Sequence, residues 1–283
     1  MIVAQILTTV AILLAMVATD EVYAQPDPMI LSAYLGIADT ATAGQFQQVT
    51  ECMAGDSPQT MIDGMPITFN VPVDPATISP VKFQITSNDN SVHTPTCATI
   101  RPADPTGTTE LFTVLLTGSF AGPFVLPTNQ LGMPPPGQAG WPKMVRIVPG
   151  ADDSRLMSLE GDDLTDLSTT DITSFINGVE LEIARLLSPQ QMQLVFSGGV
   201  TGLNSATPGI SELNRITLHD SCNNEDVHPT EFDSSDLGDT DNFLTVNIPD
   251  TTTASCINQV SVEASTFFDP SNRPNPATVI WVS

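Results

Sequence analysis

Three groups of residues in this 283-residue sequence have the types and spacing to do chemistry. The first is Asp233, Asp236, Asp239, Asp241 and Asn242, four carboxylates and an amide around Gly238. Calcium takes roughly six to eight oxygen ligands in flexible geometry, and such a loop can supply several of them. The ligand order is not that of an EF-hand, and a solvated acidic loop is the alternative reading. Asp152, Asp153, Asp162 and Asp163 form a weaker acidic candidate. The second group is His219, Cys222 and His228, which are zinc-ligand types at a spacing that fits no standard zinc set. The third is Ser57 with His228, a hydroxyl and an imidazole that could serve as nucleophile and base if the fold brings them together. No dinucleotide, phosphate-loop or HExxH motif is present.

The cysteines bear on compartment. Cys52, Cys97, Cys222 and Cys256 split evenly between the halves of the chain, and none forms CxxC. Locality pairs Cys52 with Cys97 and Cys222 with Cys256, although four cysteines also allow other pairings. Disulfides persist in oxidising compartments. The start of the chain agrees. An apolar run over residues 6–18 is followed by Val22-Tyr23-Ala24, so residues 1–24 are expected to be a signal peptide cleaved after Ala24. Its leading segment lacks Lys and Arg, and an uncleaved anchor is the competing reading. The mature chain is expected to be secreted, periplasmic or at the cell surface, without membrane contact. None of its 14 Asn residues begins an N-x-[ST] sequon, which leans towards bacterial export.

Charge narrows the partners. With 32 acidic and 8 basic residues the net charge is −24. Phosphate binding needs clustered Lys and Arg, so nucleic acid is excluded as a partner. Anionic membranes are disfavoured for the same reason. Divalent cations, calcium above all, are the natural counter-ions, and simple solubility is the other use of so much acid. The expected partner is an extracellular protein or a glycan.

The elements that must position these residues read as strands. Short apolar alternations lie between 24 Pro and 18 Gly, the pattern of antiparallel sandwiches. Ile67, Phe69, Val71 and Val73 alternate with polar residues and with Pro72, which suggests an edge. Further strands are expected near residues 29–37, 83–85, 97–100, 111–116, 144–148, 194–196, 215–218, 243–248, 260–264 and 278–282. The reading is all-β, with two tandem antiparallel β-sandwich domains at residues 27–150 and 172–283. An acidic connector or mobile loop over 151–171 joins them. Between Ile172 and Ile183 a helical stripe competes with a hairpin about Asn177-Gly178, the strongest short type I′ signal. The hairpin is preferred, with Ile172 facing Ile183 and Ile176 facing Val179.

The stretch from Asp63 to Ile85, DGMPITFNVPVDPATISPVKFQI, resembles bacterial Ig-like domains of surface-layer and other exported proteins, over roughly residues 60–120. The resemblance implies Ig-like sandwiches exposed outside the cell membrane. Gly55-Asp56-Ser57 and His228-Pro229-Thr230 resemble elements of GDSL-type ester hydrolases, with Glu225 where that family has Asp. That family implies an α/β fold, whereas this chain lacks amphipathic helices between strands. The functional expectation is therefore an exported, non-enzymatic surface or matrix protein, structural, adhesive or binding in role and calcium-stabilised. The alternatives are the ester hydrolase and a carbohydrate-binding module. Trp141, Trp281 and Tyr34 are too scattered in sequence to suggest an aromatic sugar platform.

Overall fold

The structure is a computed structural model. It describes residues 27–35, 37–41, 62–100, 110–119, 140–170, 172–174, 178–234, 236–237, 241–270 and 272–283, with residues 37–41, 62, 173 and 174 described by backbone alone. The strands in chain order are β1 (Ile30–Leu35), β2 (Ile37–Ala41), β3 (Ile62–Phe69), β4 (Phe83–Ser87), β5 (Val92–His93), β6 (Cys97–Thr99), β7 (Thr113–Gly118), β8 (Pro142–Ile147) and β9 (Ser168–Thr169). They continue with β10 (Ile172–Ser174), β11 (Leu181–Ser188), β12 (Gln191–Phe196), β13 (Ile216–Asp220), β14 (Glu225–Val227), β15 (Phe243–Asn247), β16 (Ile257–Val262) and β17 (Thr278–Trp281). One short helix, α1 (Ile210–Leu213), precedes β13. The chain is all-β, and its sheets are built mainly from antiparallel pairs.

Period-two alternation makes these strands. In β4, Phe83, Ile85 and Ser87 are buried while Gln84 and Thr86 are half-buried, and β13 repeats the pattern with Ile216, Leu218 and Asp220 inside. The sheets of the first half are ordered β10-β1-β3-β7-β6, with β2 also on β3, and β5-β4-β8-β9. β3 is interior, not an edge. It ends at Phe69, before Pro72, which leaves that proline outside the ladder. Pro66, which has no N–H to donate, falls where the pairing along one side of β3 passes from β1 to β2.

The second half closes on itself. Its sheets are β11-β12-β15 and β14-β13-β16-β17. A bridge from Ala184 to Val282 joins β11 to the end of β17. Beyond β14, the amides of Thr230 and Asp233 donate to Asn247 and Thr245 of β15. Pairing therefore runs from β13 round through β16, β17, β11, β12 and β15, and returns to β13 through β14.

One further sequence expectation is corrected. Among the described residues, Ile172 does not face Ile183 as the hairpin requires, and Ile176 and Asn177 lie outside them. β10 pairs in parallel with β1, Ile172 opposite Ala33, while β11 pairs with β12. Gly178 does have positive φ, 69°, but a Cβ there would lie 2.0 Å from the Pro274 carbonyl oxygen. Its lack of a side chain serves a close backbone approach, not a hairpin tip. The acidic segment, for its part, is anchored. Leu156 and Leu164 are fully buried and Ser158 bridges Val73, so the carboxylates point outward from a segment that packs on the core.

Strands from both halves thus share one sheet, and one apolar cluster runs from Tyr34 and Phe69 to Phe196, Leu218 and Val260. A second cluster packs Phe112 of the first half on Ile183, Val195 and Phe243 of the second. The Arg185 guanidinium lies 4.4 Å from the Phe112 ring centroid. Among the described residues, no helix is long and apolar enough to cross a membrane.

Candidate functional site

β15 and the segment before it position the acidic residues. Asp241 is buried and its Oδ1 accepts the Phe243 amide at 2.8 Å, a local turn that starts the strand. Asp236 Oδ2 accepts the Thr245 amide at 2.7 Å. Both residues then border one cavity of about 70 Å³, together with Thr201, Ser205, Thr207 and Phe243. A space of this size suits a small hydrated ion better than an organic ligand. Two carboxylates and several hydroxyls are hard oxygen donors, the set that calcium prefers.

The rest of the predicted set turns elsewhere. Asp233 Oδ2 accepts from Gln191 Nε2 at 3.0 Å. Asn242 Nδ2 donates to Thr113 Oγ1 and to the Phe196 carbonyl, both at 2.7 Å, and so ties the two halves together. Asp239 lies outside the described residues. In the weaker acidic group, Asp152 caps the Ser154 amide, Asp162 accepts from Ser158 Oγ and Asp163 pairs with Arg155. These carboxylates order their own turns.

A second, open recess of about 410 Å³ lies at the β11–β12 turn. Gln190, Gln191, Thr230, Glu231, Asn247 and Asp250 line it. The Asn247 amide donates to Glu231 at 2.7 Å, which holds both side chains in place. Amides, a hydroxyl and carboxylates offer donors and acceptors to a polar ligand such as a sugar.

Cys222 and Cys256 form a disulfide at the shared end of β13 and β16. Cys97 is also disulfide-bonded, while Cys52, the partner that locality assigns to it, lies outside the described residues. The Cys222 bridge disposes of the zinc reading, because a sulfur held in a disulfide offers no thiolate. His219 Nδ1 sits 2.9 Å from Asp226 and His228 Nδ1 sits 2.7 Å from the Ile216 carbonyl, so the two histidines serve different local contacts. The Asp220 carboxylate comes within 4.8 Å of the two sulfurs but is used locally. Burial alone would raise its pKa. Hydrogen bonds from the Asn223 side chain and amide and from the Cys222 amide outweigh this and hold it below the usual carboxylate range.

Ser57 lies outside the described residues. Glu225, the acid that the resemblance puts before His228, is exposed at the start of β14, and its neighbour Asp226 pairs with His219. The α/β alternation implied by the ester-hydrolase resemblance is not the architecture of the described residues.

Sequence reasoning missed two buried polar clusters. Tyr34 Oη donates to Asp269 Oδ2 at 2.9 Å, and Arg273 stands 3.7 Å from the same oxygen. Burial, and then the Asp269 charge, push the Tyr34 phenol far above its usual pKa, so it stays a hydrogen-bond donor. Lys82 is buried and its Nζ donates to the carbonyls of Thr77 and Arg155 at 2.7 and 2.9 Å. No local signal marks either cluster, since Tyr34 meets Asp269 and Lys82 meets Arg155 only through the fold.

No known protein family, no curated protein and no solved structure matches the chain.

Proposed function

We propose that the chain is an exported, non-enzymatic surface or matrix protein, with Ig-like β-sandwich modules and an adhesive or binding role. The observation that carries this is the Cys222–Cys256 disulfide across neighbouring strands of an all-β chain, with Cys97 also bonded. Such bridges persist where thiols are not kept reduced, and the signal-like start supports the same compartment. Labelling intact cells with a membrane-impermeant amine reagent tests it. The chain should be labelled before lysis, and protection until lysis rejects the reading.

Calcium is proposed to steady the scaffold, with Asp236 and Asp241 as the ligands that share a cavity. Neutralising carboxylates in a chain of net charge −24 also relieves self-repulsion. The melting temperature should rise with added calcium and rise less in Asp241→Asn. An unchanged melting temperature at millimolar calcium removes this part. The polar recess at Gln190, Asn247 and Asp250 favours a second reading, a carbohydrate-binding role.

A further inference from the structure

The geometry points to a neutral glycan chain bound across the outer face of the β14-β13-β16-β17 sheet, with the exposed indole of Trp281 as its stacking platform. This inference rests on the reading that the protein binds partners outside the cell.

Register places four side chains in one transverse row. Asp226 of β14 lies opposite His219 of β13, His219 opposite Gln259 of β16, and Gln259 opposite Trp281 of β17. Three strand spacings separate the ends, about 14 Å in all. The residues between them in sequence point the other way: Val227, Leu218, Val260 and Ile280 pack on the core. Period two then puts Thr217, Ser261 and Val279 in the next row of the same outer face.

Trp281 is 70% exposed and Val279 58%, so among the described residues a tryptophan indole faces solvent from a β-strand. An indole offers a flat face of negative potential and few rotamers to freeze. The C–H bonds on one face of a pyranose ring fit that surface. The hydroxyls at the ring edge then need alternating donors and acceptors. Gln259 supplies both from one amide. The ring of His219, held at Nδ1 by Asp226 at 2.9 Å, offers its other nitrogen.

Charge selects the occupant. Arg215 pairs with Glu263 at 3.0 Å, and the Asp226 carboxylate sits against His219 Nδ1 at 2.9 Å. In a molecule of net charge −24, a face whose Arg215 is already paired lacks the cation surplus that anions require, which excludes acidic glycans. A neutral, hydroxyl-rich chain fits a row in which a carboxylate-held imidazole and an amide lead to an exposed aromatic. The strand spacing also approximates the advance of one sugar in an extended β-linked chain, so the row suits a short run of residues.

The protein carries its own reporter. It has two Trp residues, and Trp141 is only 3% exposed, so acrylamide quenching reads Trp281. The probes are cellotetraose, xylotetraose and the N-acetylated chitin tetramer, each titrated into the full chain. At least one should protect Trp281 from quenching and shift its emission to the blue. Trp281→Ala should weaken binding, followed by calorimetry, about tenfold or more. Gln259→Ala should weaken it by a smaller factor. Lys143→Met, at an exposed site on β8, should leave it unchanged. The melting temperature should change little in these variants, because Trp281 is exposed and Gln259 only half-buried. Equal affinity in wild type and Trp281→Ala overturns the inference and moves the sugar elsewhere on the molecule. Failure of all three tetrasaccharides to protect Trp281 overturns it too. Either failure is distinct from failure of the export reading, which cell-surface labelling decides without any sugar.

Discussion

Replacing Gly178 by Ala separates two uses of a glycine that sequence alone confuses. Gly178 and Gly161 both have positive φ, 69° and 94°. A Cβ at Gly161 meets nothing within 4 Å, whereas at Gly178 it would sit 2.0 Å from the Pro274 oxygen, 2.5 Å from its carbonyl carbon and 3.0 Å from the Asn275 nitrogen. These are backbone atoms and cannot rotate away. Asn275 is also buried, and its Oδ1 accepts the amides of Thr266 and Phe267 at 2.8 and 2.7 Å, so the displaced loop would disturb that pair. Positive φ alone costs an Ala about 1 kcal/mol. Backbone displacement adds about 1–3 kcal/mol by analogy with overpacked cores. Gly161→Ala should therefore cost about 1 kcal/mol and Gly178→Ala about 3 kcal/mol. For a chain of this size the melting temperatures should fall by roughly 3 °C and 10 °C. Urea unfolding at equal slope gives the free energies directly. Equal costs at the two sites would refute the close approach and return Gly178 to an open hairpin tip.

Other outcomes follow from the same fold. Removing the disulfide in Cys222→Ala/Cys256→Ala, which spans a separation of 34 residues, should cost on the order of 4 kcal/mol in thermal or urea unfolding. Lys82→Met keeps the buried stem but strips the donor from two carbonyls, so it should cost about 2 kcal/mol. Lys143→Met, whose amine reaches Asn90 from an exposed site, should cost less than about 0.5 kcal/mol. Asp220 is held below its ordinary pKa, so its ionised form stabilises the fold. That contribution is complete above its unfolded pKa of about 4 and is lost as pH falls through the lower folded value. The stability gap between wild type and Asp220→Asn, followed by urea unfolding, should be widest near neutral pH and close below about pH 4. A gap that widens on acidification would contradict the assignment.

Local alternation made most of the fold legible. Phe83 with Ile85 and Ile216 with Leu218 mark strands because each buries every second residue, a signal that needs no partner. Pairing was not legible where it is non-local. Nothing near Ile172 tells that its strand lies parallel to β1, because the signal at Gly178 answers to Pro274, far along the chain. Leu156 and Leu164 were overshadowed by the carboxylates around them, although two apolar side chains suffice to anchor an acidic segment. Of the acidic candidates, Asp236 and Asp241 share a cavity because one precedes and the other begins the approach to β15, while Asp233 faces Gln191. Spacing cannot separate these fates, which are set by β12 and β15 together. Trp281 looked isolated in sequence for the same reason. Its neighbours Gln259, His219 and Asp226 reach it only through sheet register.

Peptide mapping of the chain recovered from outside the cytoplasm, digested without reduction, tests the account at its root. The predicted result is an N-terminus at Gln25 and a Cys222–Cys256 cross-linked peptide, with no cysteine left to alkylate. A chain found only in the cytoplasm, with Cys222 and Cys256 both alkylated, would contradict it.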